Sequence, residues 1–580
     1  MLKEWAVLSM PKQIVPDMTE NYPKGLNFFP PIVKQGFLMS SVTGIFSNNR
    51  GFIRGQHVAH SLYDFNFLED GRGQAASGAA IINEMGDLKV HTGKGPSKIA
   101  LPFEMLSLMS DHTVSAGISH NCYAKKRELH EEDVQPIVIE TEKHVVSVSS
   151  DGIVLDKEKM RQELMDKGYR FKSCTNGEFI GMLFTNYLEN DAEDEWEAGK
   201  KVLDFVNGRG GFSATMLVKN KGTDKTKLVA LRDEKEVKPL YCGEKDNTLF
   251  VNSETYPFSL YGIDFERVNG GEMVVASENG FEKRPLKEGS IKMPCIFEII
   301  YYGSPSSFVL EPLGPRFQEL VKKLGVDTTT DFIPEISMVR SCLGLTLSEY
   351  YKDLDIDVLF DVPDSGKGVT FGLGVGYDLK AHQILTGQAL PKSSAYRTFQ
   401  WANRRQRARE VFLKLHVIAN YLRRKIAMGG DDSIVYGGMS GAGRDIELPY
   451  DDMYNKVGLV GLLKYLADVA HFYFAISYAP MPFQCFFEFD KPQKKMAAEG
   501  MFTWDLDRIN KEVAEKLEYN VGGKDGDKRL AVCYQPRQNI YDVCGNGFCT
   551  ACMDGRYPVE DKYIPPRIME FVKEARKAVA

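Results

Sequence analysis

Gly430-Asp431-Asp432-Ser433-Ile434-Val435-Tyr436-Gly437-Gly438-Met439-Ser440 places two adjacent acids at the end of an apolar run and follows them with a turn of small residues. Backbone N–H groups in such a turn, helped by the N-terminus of a following helix, hold a phosphate. The acids cannot bind that phosphate themselves, but they suit sugar hydroxyls or a Mg2+ ion beside it. A second loop, Asp361-Val362-Pro363-Asp364-Ser365-Gly366-Lys367-Gly368, also follows an apolar strand and offers amides and a lysine to a diphosphate. The first loop alone reads as an Asp-rich surface turn with glycines, while the second is a moderately specific diphosphate signal by itself. Together they describe a site for a sugar phosphate carrying a metal-bound pyrophosphate.

The sequence around these loops alternates helical stretches with short apolar strands from about residue 310 onward. RFQELVKKLG (316–325) reads as a helix, DIDVLFDVPDSGKG (355–368) as a buried strand entering a loop, and ANRRQRAREVFLKLHVIANYLRRK (402–425) as a basic helix or helix pair. Such alternation signals a parallel sheet flanked by helices. Upstream, short apolar runs bounded by turn signals (HVVSVSSDGIVLD, TKLVALRD, NTLFVNSE, GEMVVASENG) predict a sheet-rich domain. Two helical patches, DKEKMRQELMDKG and EDEWEAGKKVLDFVNG, interrupt it, which fits an α+β domain with stacked sheets. Residues 1–35 carry five prolines and read as an irregular extension, before one domain over 36–290 and another over 291–580.

Composition narrows the functional classes. The 580 residues exceed a single core, and 72 basic against 79 acidic side chains give a net charge of −7, which excludes a nucleic-acid binder held by a basic surface. The first residues have no sustained apolar segment and no stretch approaches about 18 uninterrupted apolar residues, so a soluble cytoplasmic protein without membrane partners is expected. Ten cysteines are too few for a disulfide scaffold. Four of them (Cys533, Cys544, Cys549, Cys552) crowd near the C-terminus, and in a reducing compartment this points to metal or redox chemistry.

The two loops resemble those of type I phosphoribosyltransferases, with DDSIVYGGMS as the loop for phosphoribosyl pyrophosphate (PRPP). The order of DVPDSGKG, YRTFQ, DDSIVYG, MPCIFEIIYYGSPSS and FCTACMDGRYPVE then resembles glutamine PRPP amidotransferases over roughly residues 40–560. The first half agrees at Thr43-Gly44-Ile45-Phe46, Gly71-Arg72-Gly73-Gln74, Asp133-Val134-Gln135-Pro136, Lys238-Pro239-Leu240, Ser253-Glu254-Thr255 and Gly270-Gly271-Glu272-Met273. The resemblance implies an Ntn-hydrolase-like αββα glutaminase layer followed by a type I phosphoribosyltransferase domain with a parallel sheet. It also implies that ammonia attacks C1 of PRPP, releasing pyrophosphate at the first step of purine synthesis, in a homodimer or tetramer.

The resemblance places the glutaminase residues at altered positions. The family's N-terminal Cys nucleophile falls at Thr43, behind 42 further residues. Ntn hydrolases also use Thr, so cleavage before Thr43 would restore a nucleophile. The oxyanion-hole Asn-Gly falls at Asp151-Gly152, where a carboxylate repels a developing oxyanion. The Arg clamp falls at His120 and the Ser-Asp-Thr-Glu segment on Cys174 to Glu178, around Thr175. A degenerate glutaminase is expected, with Cys122 beside His120 as a coincidental neighbour rather than a substitute nucleophile.

The transferase residues are better kept. By resemblance, Asp431 and Asp432 take the ribose hydroxyls or Mg2+, while Ser433, Gly437, Gly438 and Ser440 cradle the 5-phosphate. Asp364, Ser365, Gly366 and Lys367 hold pyrophosphate, and Lys392 to Phe399 match a closing loop whose Arg397 neutralises the leaving group. Tyr436, Gly438 and Met439 depart from the family's Arg and Thr-Thr. The nitrogen donor is then free ammonia, ammonia from a partner protein, or another amine; a non-catalytic PRPP- or nucleotide-binding paralogue and a processed Thr43 enzyme are the alternatives. Cys295, Cys485, Cys549 and Cys552 match the ligands of the [4Fe-4S] cluster found in one branch of the family; the residues alone favour zinc.

Overall fold

A computed structural model describes residues 40–49, 54–110, 114–123, 129–287, 292–328, 332–392, 404–434, 439, 458–485, 487, 497–498, 500–501, 503–520, 529–564 and 566–579. The extension over 1–35 and the candidate residues Arg397, Gly437, Gly438 and Ser440 lie outside them.

The strands are β1 (Ser40–Ser47), β2 (Ala76–Asn83), β3 (Leu88–Lys94), β4 (Val114–Cys122), β5 (Ile137–Glu140), β6 (His144–Val154) and β7 (Gly210–Asn220). They continue as β8 (Thr226–Arg232), β9 (Tyr241–Lys245), β10 (Thr248–Asn252), β11 (Asp264–Arg267), β12 (Glu272–Ser277) and β13 (Gly280–Pro285). Two antiparallel sheets result, ordered β11-β9-β10-β1-β4-β2-β3 and β13-β12-β8-β7-β6-β5. The helices Arg54–Leu68 and Asn176–Asn190 cover the outer faces, on β1 and β4 and on β6 respectively, so the layers run α, β, β, α. Strands enclosed on both faces cannot alternate polar and apolar residues. That is why every residue of β1 (SSVTGIFS), β2 (ASGAAIIN) and β4 (VSAGISHNC) is buried and why so many are small.

The second half is built on a parallel sheet of β14 (Val358–Asp361), β15 (Ile426–Asp431), β16 (His471–Ile476) and β17 (Leu530–Tyr534), in sequence order. In such a sheet the carboxyl ends of adjacent strands form one edge where ligands bind. Register puts Asp361 beside Gly430 and Asp431 beside Ile476 at that edge. The expected αββα and parallel-sheet architecture is therefore present.

Helix content exceeds the sequence reading. Besides the two expected helices (Lys157–Asp166 and Glu195–Val206), the first half carries Arg54–Leu68 and Asn176–Asn190. In the second half, Gly366–Gly376 (GKGVTFGLGVG) is helical despite five glycines, each costing about 1 kcal/mol against Ala. Packing reverses that preference: a Cβ at Gly372 would stand 1.9 Å from the Ser341 carbonyl of the neighbouring helix Ile336–Tyr350. The basic segment forms a helix over Arg404–Lys414 and a short turn over Ala419–Leu422.

Candidate functional site

The carboxyl edge of the parallel sheet assembles the two loops. β15 ends at Asp431, and its neighbour Asp432 turns its N–H back onto Asp431 Oδ1 at 2.9 Å while Ser433 Oγ donates to Asp432 Oδ2 at 2.6 Å. Both aspartates are buried. Burial, and then the charge of Asp432, raises the Asp431 carboxyl well above the usual range; burial also raises Asp432, with Ser365 and Ser433 hydroxyls opposing. Two such carboxyls side by side call for a cation or for hydroxyl donors. The second loop lies directly against them. A Cβ on Gly366 would stand 2.1 Å from the Gly430 carbonyl, so only glycine lets the loop close onto β15 and bring Ser365 to the acid pair.

Basic groups face the same space. Asp364 is ion-paired with Lys367 Nζ at 3.1 Å and with Lys392 Nζ. Arg340, unmarked in the sequence reading, is buried in the Ile336–Tyr350 helix with its guanidinium donating to the carbonyls of Ile299 (2.9 Å) and Gly303 (3.0 Å), and its charge reaches Asp432. An Arg inside the apolar run ISMVRSCLGLTL was the only available signal. A cavity of about 600 Å³ opens here, bordered by Ser365, Lys392 and Arg340 and, from the first half, by Phe67, Asp70 and Ile99. Carboxylates, fixed cations and glycine-backed amides around one space suit a phosphorylated, metal-carrying sugar.

The positions matched to the glutaminase are occupied differently. Thr43 is not a chain start: Ser40, Ser41 and Val42 continue β1 and pair with Cys122, Asn121 and His120 of β4. Thr43 Oγ1 donates to Asn252 Oδ1 at 2.9 Å, and Asn252 Nδ2 donates to Glu69 Oε1 at 2.8 Å. Asp151 is fully buried and faces Lys238 Nζ and an Arg72 guanidinium nitrogen, each at 3.5 Å. Burial raises its carboxyl and these two cations oppose the rise. Gly152 follows, its carbonyl accepting from Asn176 Nδ2 at 2.9 Å. His120 is buried between the sheets, Nε2 lying 3.2 Å from the Ser150 carbonyl and 3.1 Å from Gln135 Nε2. Burial drives its pKa down to about 3, so it carries no charge with which to clamp a carboxylate. Thr175 is a helix cap, its hydroxyl accepting from Glu178 N at 3.0 Å. Burial raises the Cys122 thiol far from nucleophilic range.

Arg72 is the hub that sequence reading left without a role. It binds Glu298 through two nitrogens (2.8 and 2.9 Å), Glu254 at 3.1 Å and the Ser40 carbonyl at 3.0 Å. Glu298 comes from the segment after the sheet sandwich, so Arg72 joins the first half to the second. Glu69, raised well above the carboxylate range by burial and then by Glu254, completes the cluster. The void beside Arg72, Glu254 and Glu298 measures only about 40 Å³.

The four candidate cysteine ligands also converge. Cys295 and Cys549 form a parallel bridge, with Cys549 N donating to the Pro294 carbonyl at 2.8 Å and Cys295 N to Val237 at 3.2 Å. Tyr478 Oη lies 3.5 Å from Cys552 Sγ. Tyr557 is influenced by Cys485, Cys552 and Cys549, and Tyr478 by Cys552 and Cys295. Burial pushes the Cys552 thiol up to about 12 and Cys549 well above its usual value, so bare thiols here stay protonated. Among the described residues, no three side chains are spaced to hold a single metal ion.

Comparison with known proteins agrees with this layout. Residues 124–259 match the family model described as a glutamine amidotransferase domain. The amidophosphoribosyltransferase of Synechocystis is 24% identical over 511 residues, covering 87% of this chain and 88% of its own; that of Methanocaldococcus jannaschii is 25% identical over 540 residues, covering 90% and 98%. A solved structure titled as the allosteric regulatory enzyme of purine biosynthesis superposes with a TM-score of 0.66 at 19% identity, covering 91% of this chain and 98% of that one. The glutamine PRPP amidotransferase of B. subtilis, complexed with ADP and GMP, gives 0.64 at 20% identity, covering 90% and 97%.

Proposed function

Because the chain belongs to the amidophosphoribosyltransferase family, we propose that it is a phosphoribosyltransferase that moves the nitrogen of ammonia or another amine to C1 of PRPP, and that its glutaminase-like half does not hydrolyse glutamine. The observation that carries the transferase reading is the contact of the two loops: Ser365 beside the Asp431–Asp432 pair, with Gly366 pressed on the Gly430 carbonyl. Asp431 and Asp432 would hold the ribose hydroxyls and the Mg2+ of the substrate. That cation relieves the mutual repulsion that raises Asp431. Lys367 and Lys392, both paired with Asp364, and the nearby Arg340 would meet the pyrophosphate charge that builds as the C1–O bond breaks, since fixed cations aimed at developing charge stabilise the transition state most.

Loss of glutaminase activity is supported by the strand itself. An Ntn nucleophile needs a free α-amino group as its base, but the Thr43 nitrogen is a peptide nitrogen between Val42 and Thr43. Cleavage there would also strip Ser40 to Val42 from their pairing with β4 and remove the Ser40 carbonyl from Arg72. At the matched oxyanion position the buried Asp151 carboxyl, paired with Lys238 and Arg72, takes the place of a side-chain amide donor.

Cys295, Cys485, Cys549 and Cys552 would hold a [4Fe-4S] cluster, which when bound supplies positive charge that lets the buried thiols ionise. Its irons each take one thiolate, which suits thiols that share a pocket without single-ion spacing; zinc would need all four within about 2.3 Å of one centre. The residues themselves tie the C-terminal tail to Pro294 and Val237.

The test is pyrophosphate release from Mg2+-PRPP by the full chain. Ammonium supports release, glutamine yields no glutamate, and Asp431→Asn lowers the ammonium rate by roughly 100-fold or more. An unchanged Asp431→Asn rate would overturn the site assignment.

A further inference from the structure

Resting on the transferase reading above, we propose that Asp361 is a positioning residue of that reaction: its carboxyl fixes the segment that carries Lys392 to the pyrophosphate side of the site. Asp361 ends β14 and stands beside Gly430, one position short of Asp431 in register. Its side chain is buried. Oδ1 accepts from Gly387 N, while Oδ2 has no hydrogen-bond partner among the described residues. A buried carboxyl oxygen left unsatisfied calls for an explanation other than packing.

The explanation lies in what the Gly387 bond holds. Gly387 belongs to a turn that leaves the edge of β14. Ile384 forms a parallel bridge with Leu359, Leu385 N donates to the Leu359 carbonyl at 2.7 Å, and Gln388 N donates to the Leu385 carbonyl at 3.0 Å. Beyond the turn the chain runs against the end of the basic segment. The Ala389 and Pro391 carbonyls accept from Ile418 N (3.0 Å) and His416 N (2.9 Å), and Lys392 bridges Leu415. Lys392 then pairs with Asp364 of the pyrophosphate loop. The Asp361–Gly387 bond therefore fixes where this run departs from the sheet that carries Asp431. It thereby sets where Lys392 stands relative to the acid pair.

The same carboxyl serves the other cation of the loop. Burial raises Asp361, and the N–H of Gly387, its own N–H and the charge of Lys367 oppose that rise. Lys367, in the first turn of the Gly366–Gly376 helix, is also paired with Asp364 at 3.1 Å. One carboxyl under the loop thus steadies both lysines that would meet the leaving group. Such steadying matters because a misplacement of about 1 Å costs roughly 100-fold in rate.

The test is a double-mutant cycle on the full chain, reading pyrophosphate release from Mg2+-PRPP with ammonium. Asp361→Ala is expected to lower kcat/KM about tenfold or more. Asp361→Asn, whose amide oxygen still accepts from Gly387 N, recovers most of that loss. Lys392→Ala loses at least as much as Asp361→Ala, and combining the two costs less than about twofold beyond Lys392→Ala, since a residue acting through another adds nothing once that other is gone. Losses that multiply in the double variant overturn the positioning role and leave the transferase reading standing. So do an Asp361→Asn chain as impaired as Asp361→Ala, an Asp361→Ala chain at the wild-type rate, and one that does not fold. A wild-type chain that releases no pyrophosphate overturns both.

Discussion

The two halves of this chain treat buried polar groups in opposite ways. Around Thr43 most are tied to groups of the same half, Thr43 with Asn252, Asn252 with Glu69, Asp151 with Lys238 and Arg72, Thr175 with the helix it caps, and a like-charged neighbourhood, Glu69 near Glu254, has Arg72 beside it. At the carboxyl edge of the parallel sheet, two carboxyls of like sign are pressed together, and four cations, Lys98, Arg340, Lys392 and Lys414, border the nearby cavity. An internally neutralised cluster holds a fold together. A cluster that repels itself is completed by a ligand. On the reading proposed above, the glutaminase-like half serves the transferase half as a scaffold, with the Arg72–Glu298 pair as a link between them.

Breaking the scaffold should cost the most. Arg72→Met leaves Glu254, Glu298 and Asp151 buried without their shared cation and is expected to lower stability by about 3–5 kcal/mol in urea denaturation. A loss below about 1 kcal/mol would mean the cluster is not structural. In the transferase half, Asp431→Asn removes charge that the substrate needs while relieving repulsion, so the roughly 100-fold loss of pyrophosphate release should come with equal or higher thermal stability. A simultaneous fall in both would assign Asp431 to folding.

His120 sharpens the contrast through pH. Its folded pKa of about 3 lies below the ordinary 6.5, so the unfolded chain takes up a proton first as pH falls. The sign follows: its contribution to stability is complete above 6.5 and is lost progressively between 6.5 and 3. Between pH 7 and pH 5 this amounts to about 2 kcal/mol, which His120→Gln should abolish in denaturation curves at the two pH values. Equal pH dependence in the variant would place the acid sensitivity elsewhere. The smallest effect belongs to Thr43→Ala, which loses one hydrogen bond worth about 1 kcal/mol and changes neither ammonium turnover nor glutamate release. A glutamate signal that Thr43→Ala removes would restore the nucleophile.

How much of this was legible in the sequence follows the range of each interaction. The acid pair and the Asp364–Lys367 loop are local, so strand, turn and small residues could be read together, and Ser365 does reach Asp431 and Asp432. The cysteines converge across more than 250 residues, which only the family resemblance could suggest. Arg72 and Glu298 lie 226 positions apart and carry no local signature, so the hub was invisible. The Gly366–Gly376 helix was unreadable for another reason: five glycines deny helix by propensity, and the close neighbours that explain them (Gly430, Ser337, Ser341, Ile384 and Ser348) come from other elements. The sequence marks the residues at 120, 151 and 175 as departures from the family's pattern, but not the buried contact of His120, the ion pairs of Asp151 or the helix cap of Thr175.

Titration calorimetry of the full chain, with Mg2+-PRPP in one run and glutamine in another, tests the contrast most directly. Saturable heat with one PRPP bound per chain and none with glutamine is the predicted result. Heat from glutamine, or silence from Mg2+-PRPP, would contradict it.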